Sequence, residues 1–408
     1  MATLAYAYKG RDSSGKIVKG ELEGASEIVI ASRLRSMGLS PISITESSSG
    51  TGLSREITIP GFSKGVGLKD LAIMSRQLAT MIASGLSLLR ALTILSEQTP
   101  NKALQKLLVI VMRDVESGVA LSDALYKHRV EFPPIMINLV RAGETGGFLD
   151  EALETIAANF ESEVKLRSTI KSALTYPVVV LVMAVVAVVV MLIFIVPIFQ
   201  KLFAGLGGQL PLPTQFLVWM SSVMTWAAPL LIVLGIAFSI WWRANRNTER
   251  VRKIVDPVKL RLPVFGKLFQ KIAVARFTRN FSSMMGAGVP ILQALSIVGE
   301  TSGNWVVESA LRDVADSVRQ GKTVAEPLSK APVFPAMVTQ MITVGEDAGA
   351  LEQMLGKIAD FYDEEVQSTT EQLTAMIEPL MIAFLGIVVG GMIVCLYLPI
   401  FNIFTLIK

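Results

Sequence analysis

The chain has 408 residues, of which 51% are hydrophobic, 18% charged and 7% aromatic, and its formal net charge is +4. A soluble domain carries roughly 25% charged residues, and here three runs, 172–200, 202–242 and 379–407, hold no Lys, Arg, Asp or Glu. Each exceeds the ~20 residues that cross ~30 Å of hydrocarbon, so a soluble protein is excluded, while one Cys and one His exclude a disulfide framework, a CxxC or His-rich metal site and most Ser–His or Cys–His catalysis.

In chain order, residues 1–47 read as a small α+β domain. LAYAYK and KIVKGELE are strand-like around the turn GRDSSGK, residues 25–37 read as a helix capped by Ser26, and residues 41–45 read as a third strand. The first residues lack a basic region followed by an apolar stretch, so no signal peptide is expected. Residues 48–67, with SSSGTG, read as a flexible linker.

Residues 68–173 read as a helical bundle. Leu68, Leu71, Ala72, Ser75, Leu78, Ala79 and Ile82 follow i, i+3, i+4 spacing. Gly85 breaks this helix, and Ser87 is placed to cap the next. Asn101 restarts a helix that Gly118 ends. Pro133-Pro134 starts another, expected to stop at Gly143, and a last helix begins near Phe148 and heads for the membrane. About six short helices in an antiparallel bundle are expected. A first span follows at 174–199, a loop at 200–214, a second span at 215–242, a second bundle at 243–376, a third span at 377–404 and a short end at 405–408. Cys395 sits in the third span and reads as a small hydrophobe.

Basic residues set the expected orientation. Residues 1–173 hold 20 Lys plus Arg, the 200–214 loop holds Lys201 alone, residues 243–376 hold 16, and Lys408 is the last. The N-terminus and both bundles are therefore expected in the cytoplasm, the 200–214 loop and the C-terminal end outside. Trp241 and Trp242 beside Arg243 fit an interfacial anchor. The basic clusters suit anionic headgroups of the lipid membrane better than nucleic acid, and no nucleic-acid partner is expected.

The chain repeats itself. RQLATMIASGLSLLRAL from Arg76 aligns with RNFSSMMGAGVPILQAL from Arg279 at an offset of 203, and RAGETGGFLDEALETIAANFESEV from Arg141 aligns with TVGEDAGALEQMLGKIADFYDEEV from Thr343 at 202, with nine of 24 positions identical. Pro177 matches Pro379, and Pro197-Ile198-Phe199 matches Pro399-Ile400-Phe401. One unit runs from about 68 to 200 and its copy from about 271 to 402, with one residue lost between the two blocks. The second span has no counterpart and returns the chain to the cytoplasm, unlike the inverted repeats of many transporters.

Candidate chemistry is sparse. Residues 10–17 nearly match the phosphate loop GxxxxGK[ST], but Ile17 replaces the hydroxyl and a strand follows, so a hairpin turn is expected. Gly143-Glu144-Thr145-Gly146-Gly147 and Gly345-Glu346-Asp347-Ala348-Gly349 are the sharpest duplicated motifs. Gly permits φ > 0 at a helix end. The Glu has three uses there: a salt bridge, a cap on the next helix, or a contact to a partner's basic residue. Glu154, Glu161, Glu163, Asp360, Asp363 and their acidic neighbours read as solvated helix faces or as a place where an oligomer gathers cations. Glu378, just before Pro379, stands at the cytoplasmic edge of the third span, either as a plain interfacial residue or as a contact for a partner subunit. Gly386, Gly390 and Gly391 allow close helix approach, to this chain's own spans or to a second copy. His128, between Lys127 and Arg129, reads as a surface residue. No catalytic, cofactor-binding or metal-ligating set emerges, and the chain is not expected to be an enzyme.

Taken together, Arg76-Gln77-Leu78, Gly85, Leu88-Leu89-Arg90-Ala91-Leu92, the Gly143–Gly147 motif, Tyr176-Pro177, Gly345-Glu346 with Gly349, Glu378-Pro379-Leu380 and Pro399-Ile400-Phe401, with Tyr8-Lys9-Gly10 and Gly38-Leu39 in the first domain, carry a resemblance. The chain resembles the GspF/PilC family of inner-membrane platform proteins from type II secretion systems and type IV pili. Ala348 departs from the second Gly that the family often keeps. The resemblance implies a non-enzymatic platform in a bacterial inner membrane. Its implied partners are a cytoplasmic hexameric ATPase, pilin-like subunits, other inner-membrane assembly components and further copies of itself as a dimer or tetramer. Arg76, Gln77, Gly85, Gly143, Glu144, Gly147, Gly345, Glu346, Gly349, Glu378 and Pro379 are the candidate partner-binding or structural residues. The competing reading is a transporter or channel subunit, which would favour paired ionisable residues or helices broken in mid-membrane.

Overall fold

The computed structural model describes residues 4–11, 17–24, 27–46, 65–204, 210–246 and 248–406, in two compact units, Met1–Lys64 and Gly65–Lys408. In the first, β1 (Leu4–Arg11), β2 (Ile17–Gly24) and β3 (Ser40–Glu46) form an antiparallel sheet of order β2-β1-β3, with helix α1 (Glu27–Ser36) between β2 and β3. Ile30, Leu34 and Leu39 make its core with Tyr8 and Leu22. Arg11 pairs with Ile17 across the expected hairpin, so a strand stands where a phosphate loop needs a helix. The turn itself, Ser26 and the linker through residue 64 lie outside the described residues.

The second unit is helical. Its first copy holds α2 (Leu68–Ala83), α3 (Leu88–Gln98), α4 (Lys102–Glu116), α5 (Leu121–Tyr126), α6 (Pro134–Gly146) and α7 (Leu149–Val190). A single π turn, Met191–Ile195, leads into α8 (Val196–Ala204). α9 (Leu212–Asn245) is the second span and α10 (Glu249–Arg261) follows it. The second copy repeats the first as α11 (Phe265–Gly286), α12 (Ile291–Thr301), α13 (Trp305–Arg319), α14 (Ala325–Ser329), α15 (Ala336–Asp347) and α16 (Leu351–Leu406). The lost residue falls in the turn after the shortest helix, between Lys127 and Phe132 in one copy and Lys330 and Phe334 in the other.

The first corner is closed by Gly85 at φ 85°. Its N–H meets the Ile82 carbonyl while the Leu86 N–H reaches back to Met81 at 3.0 Å, and Gly288, Val289, Met285 and Met284 repeat the arrangement. Ser87 does stand at the N-cap of α3, but its side chain makes no capping bond. Asn101 does cap, accepting from the Ala103 and Leu104 N–H groups at 2.9 and 3.3 Å. Helix α6 does not stop at Gly143. It runs on to Gly146, and Gly147, at φ 77°, turns the chain.

Leu92, Leu108, Leu139 and Phe132 of the first copy and Phe277, Phe281, Leu295 and Leu311 of the second belong to one continuous core. Burying each such side chain contributes ~1.5–3 kcal/mol, so the two bundles are one packed body. Leu166, Leu268, Val366 and Leu373 extend the contact toward the membrane. Helix α16 has 56 residues, about 84 Å at 1.5 Å per residue. It and α7 leave the bundles and enter the apolar spans unbroken past Pro379 and Pro177.

Candidate functional site at the duplicated motifs

Arg76 and its counterpart Arg279 pin the first helix of each bundle to the last. Arg76 Nε and Nη2 donate to the two Glu161 oxygens at 2.7 Å, and Nη1 donates to Glu154 at 2.5 Å. Arg279 Nη2 donates to Asp363 at 2.7 Å and Asp360 at 2.8 Å. Glu161 and Asp363 are equivalent, while Glu154 and Asp360 come from different turns, so the second carboxylate is replaced rather than kept. The bonds to Glu161 and then Glu154 raise the Arg76 pKa, and the same bond holds the Glu161 carboxyl below its ordinary range. For Arg279 burial is the largest single influence and lowers the pKa, but the bonds to Asp363 and Asp360 outweigh it. These carboxylates are committed to arginines.

Glu144 does not cap the helix after it. It reaches back to α5, accepting from the Leu121 N–H at 2.6 Å and the Ser122 N–H at 3.1 Å. Glu346 accepts from the Val324 N–H at 2.8 Å and the Ala325 N–H at 3.3 Å. In both copies a carboxylate meets the orphan donors and positive dipole end of the shortest helix. The glycines around it divide the work. A Cβ on Gly143 would lie 2.6 Å from Ala152 Cβ, and one on Gly345 2.9 Å from Met354 Cβ, so these positions let α6 and α15 touch the next helix. Gly147 and Gly349 instead turn the chain at φ 77° and 64°. A Cβ on Gly146 would lie 2.0 Å from Phe148 Cε1. The second copy has Ala350 where Phe148 stands, which is why Ala348 fits there.

The two copies meet head to tail. Asn159 on α7 donates to Asn280 Oδ1 at 3.0 Å and Ser283 Oγ at 3.3 Å. Arg276 grips Glu163 with Nη2 at 2.6 Å and Nε at 2.9 Å, and Gln293 donates to Asn138 at 3.1 Å. The equivalent positions, Ile73 for Arg276, Gln77 for Asn280, Arg90 for Gln293, Gln340 for Asn138 and Phe361 for Asn159, are all exposed. Gln77 therefore does in its copy nothing that Asn280 does in the other.

In the spans, Ser221 and Thr214 of α9 donate to the Leu192 and Cys395 carbonyls, each at 2.5 Å. Leu192, Val196, Leu217, Met392 and Leu396 pack around them. Glu378 and Pro379 lie exposed on α16, and no hydrogen bond or ion pair to Glu378 occurs among the described residues. A Cβ on Gly386, Gly390 or Gly391 meets nothing within 4 Å, so these glycines do not serve packing against the chain's own spans. His128 lies half-buried in the turn after α5.

Sequence reasoning missed the partners of Glu144 and Glu346, the Asn159–Asn280 contact and both hydroxyl–carbonyl bonds. Two of these had a signal. Hydroxyls in an apolar span and prolines at matched ends of two other spans mark donors and freed acceptors.

A family model described as type II secretion system (T2SS), protein F, matches residues 74–197 and again 277–399. A model described as the N-terminal domain of type II secretion system protein F matches residues 1–45. The type IV pilus assembly protein PilC of Thermus thermophilus is 45% identical over 98% of this chain and 98% of its own. That of Myxococcus xanthus is 42% identical over 98% and 95%. The type II secretion system protein F of Vibrio cholerae is 32% identical over 97% of each.

Proposed function

The chain belongs to the type II secretion system protein F family, and on that premise we propose that it is the inner-membrane platform of a type IV pilus or type II secretion machine. In this reading it makes and breaks no covalent bond. It couples a separate cytoplasmic hexameric ATPase to the insertion of pilin-like subunits into a growing filament, alongside other inner-membrane assembly components. The excess of Lys and Arg on the bundles over the 200–214 loop supports a cytoplasmic N-terminus and an extracytoplasmic C-terminal end.

The observation that carries the coupling is the continuity of α7 and α16 from the bundle core into the spans. A push on the bundles moves the spans because no flexible joint lies between them. Since the bundles share one core and the Asn159–Asn280 and Glu163–Arg276 contacts, they move as one block. Glu378, exposed at the edge of the third span, is the proposed contact for the positively charged amino-terminus of a pilin-like subunit. The exposed Ile73, Gln77 and Phe361, counterparts of residues used between the copies, support association with a second copy as a dimer or tetramer.

Deleting the gene tests the role: loss of filaments or secretion is expected, and unchanged assembly overturns it. Nucleotide hydrolysis by the purified chain alone would overturn it as well. Linking Asn159→Cys to Asn280→Cys with a short cleavable crosslinker, in a Cys395→Ser background, tests the single block. Assembly is expected to survive the link; an arrest relieved by cleaving it means the bundles must separate.

A further inference from the structure

Where the second span ends, α7, the end of α9, α10 and the end of α12 line an open cavity of about 610 Å³. This falls within the ~300–1,000 Å³ of small-ligand sites. Arg167, Arg246, Arg252 and Lys259 line it with Trp242, against Asp256 and Glu300, and of the four cations Arg246 alone makes no ion pair among the described residues. Trp242 is the last residue of the charge-free run 202–242, which sets the cavity at headgroup depth.

The cations are held in place by carboxylates behind them. Asp256, 3% exposed, accepts from Lys259 at 2.9 Å and from the Trp305 N–H at 2.9 Å. Glu308, 6% exposed, pairs with Arg252 at 2.9 Å. The Trp305 bond and the Arg252–Glu308 ion pair fix α10 on α13, and the ion pairs orient Arg252 and Lys259 before any ligand arrives. Arg167 uses Nε on Glu163, and among the described residues neither of its Nη atoms makes a hydrogen bond. Arg246 is exposed, with no ion pair among the described residues. A fixed cationic lining beside an interfacial Trp suits a phosphodiester whose acyl chains lie along the adjoining spans. A soluble acidic segment would gain nothing from the Trp242 level.

We propose that this cavity binds the headgroup of an anionic phospholipid of the leaflet facing the bundles, clamped by Arg246 and Lys259 with Arg167 and Arg252 at its rim. The assignment needs only that the spans cross a membrane and is independent of the platform reading. The bound lipid would tie α10 to the end of α9 and so fix the height of the bundles relative to the bilayer.

The full chain, purified in neutral detergent, is titrated with phosphatidylglycerol, phosphatidylcholine and glycerol phosphate, and occupancy is read by native mass spectrometry. One retained phosphatidylglycerol is expected, with phosphatidylcholine weaker. Arg246→Gln should weaken retention about fivefold, the effect of one Lys or Arg near a lipid surface. Arg246→Gln with Lys259→Gln should weaken it further, and Arg319→Gln, at the C-terminal end of α13 and outside the cavity lining, should leave it unchanged. Because Lys259→Gln disturbs Asp256, Arg246→Gln alone decides if the double variant misfolds. Equal retention of both lipids, an unchanged Arg246→Gln, or equal competition by glycerol phosphate overturns the lipid assignment.

Discussion

Ser221 donates its hydroxyl hydrogen to the Leu192 carbonyl at 2.5 Å, and this bond repairs a gap that Pro197 makes. In the π turn the Val196 N–H reaches Met191, five residues back, so the donor due to Leu192 belongs to Pro197, which has none. The same logic holds at Pro399, whose missing N–H frees the Cys395 carbonyl four residues back, and there Thr214 donates. Thr214 and Ser221 are seven residues apart on one face of α9. The span that has no counterpart in the duplication thus satisfies the matched prolines of both copies.

Ser221→Ala should lower stability in detergent by about 0.6 kcal/mol and by no more than about 1.7, the range for hydroxyl bonds between membrane helices. Restoring the missing donor with Pro197→Ala should remove most of that cost. Unfolding curves of the two single variants and the double close the cycle; a Ser221→Ala penalty unchanged by Pro197→Ala refutes the assignment.

Gly146→Ala should destabilise by about 1–3 kcal/mol, because its new methyl meets the Phe148 ring. With Phe148→Ala added, the double variant should be more stable than the sum of the single effects implies, reproducing the Ala348–Ala350 pair of the second copy. Denaturant titration measures it, and strict additivity would contradict a direct clash.

Glu144→Ala and Glu346→Ala each leave two N–H groups at a helix start without their acceptor. A loss of about 1–2 kcal/mol is expected for each, with Glu→Gln milder because an acceptor oxygen remains. Hydrogen exchange should quicken first at Leu121 and Ser122 in Glu144→Ala. A uniform change across the bundle would argue against local capping.

The Arg76 bond lowers the Glu161 pKa below its ordinary value. A depressed carboxylate adds stability above its unfolded pKa and loses it as pH falls through the folded one. The melting temperature of the parent chain should therefore exceed that of Glu161→Gln at neutral pH, and the two should converge in acid. Glu161 is 47% exposed, so solvent screening keeps the gap near or below about 1 kcal/mol. A gap that widens in acid would reverse the sign and rule out the pair as its source.

Some of the candidate site could be read from residue order alone and some could not. Gly147 and Gly349 follow helices, and the need for positive φ there is a local steric matter visible in the sequence. Gly143 carries the same letter for another reason, the 2.6 Å approach of Ala152 Cβ, which no local rule distinguishes, and so residue order alone ends α6 three residues early. Glu144 invited a forward cap, yet its acceptors meet donors 22 and 23 residues back.

What residue order determined is what depends on near neighbours: three membrane crossings from runs without charge, helices from apolar spacing, corners from glycine, and two copies from internal likeness. Tertiary structure decided which partners those residues take. Gln77 and Asn280 hold equivalent places in corresponding helices of the two copies, but only Asn280 faces the other bundle. The physical reason is that burial and backbone sterics are set within a few residues, whereas a hydrogen bond such as Asn159–Asn280 or Ser221–Leu192 depends on where distant helices come to rest.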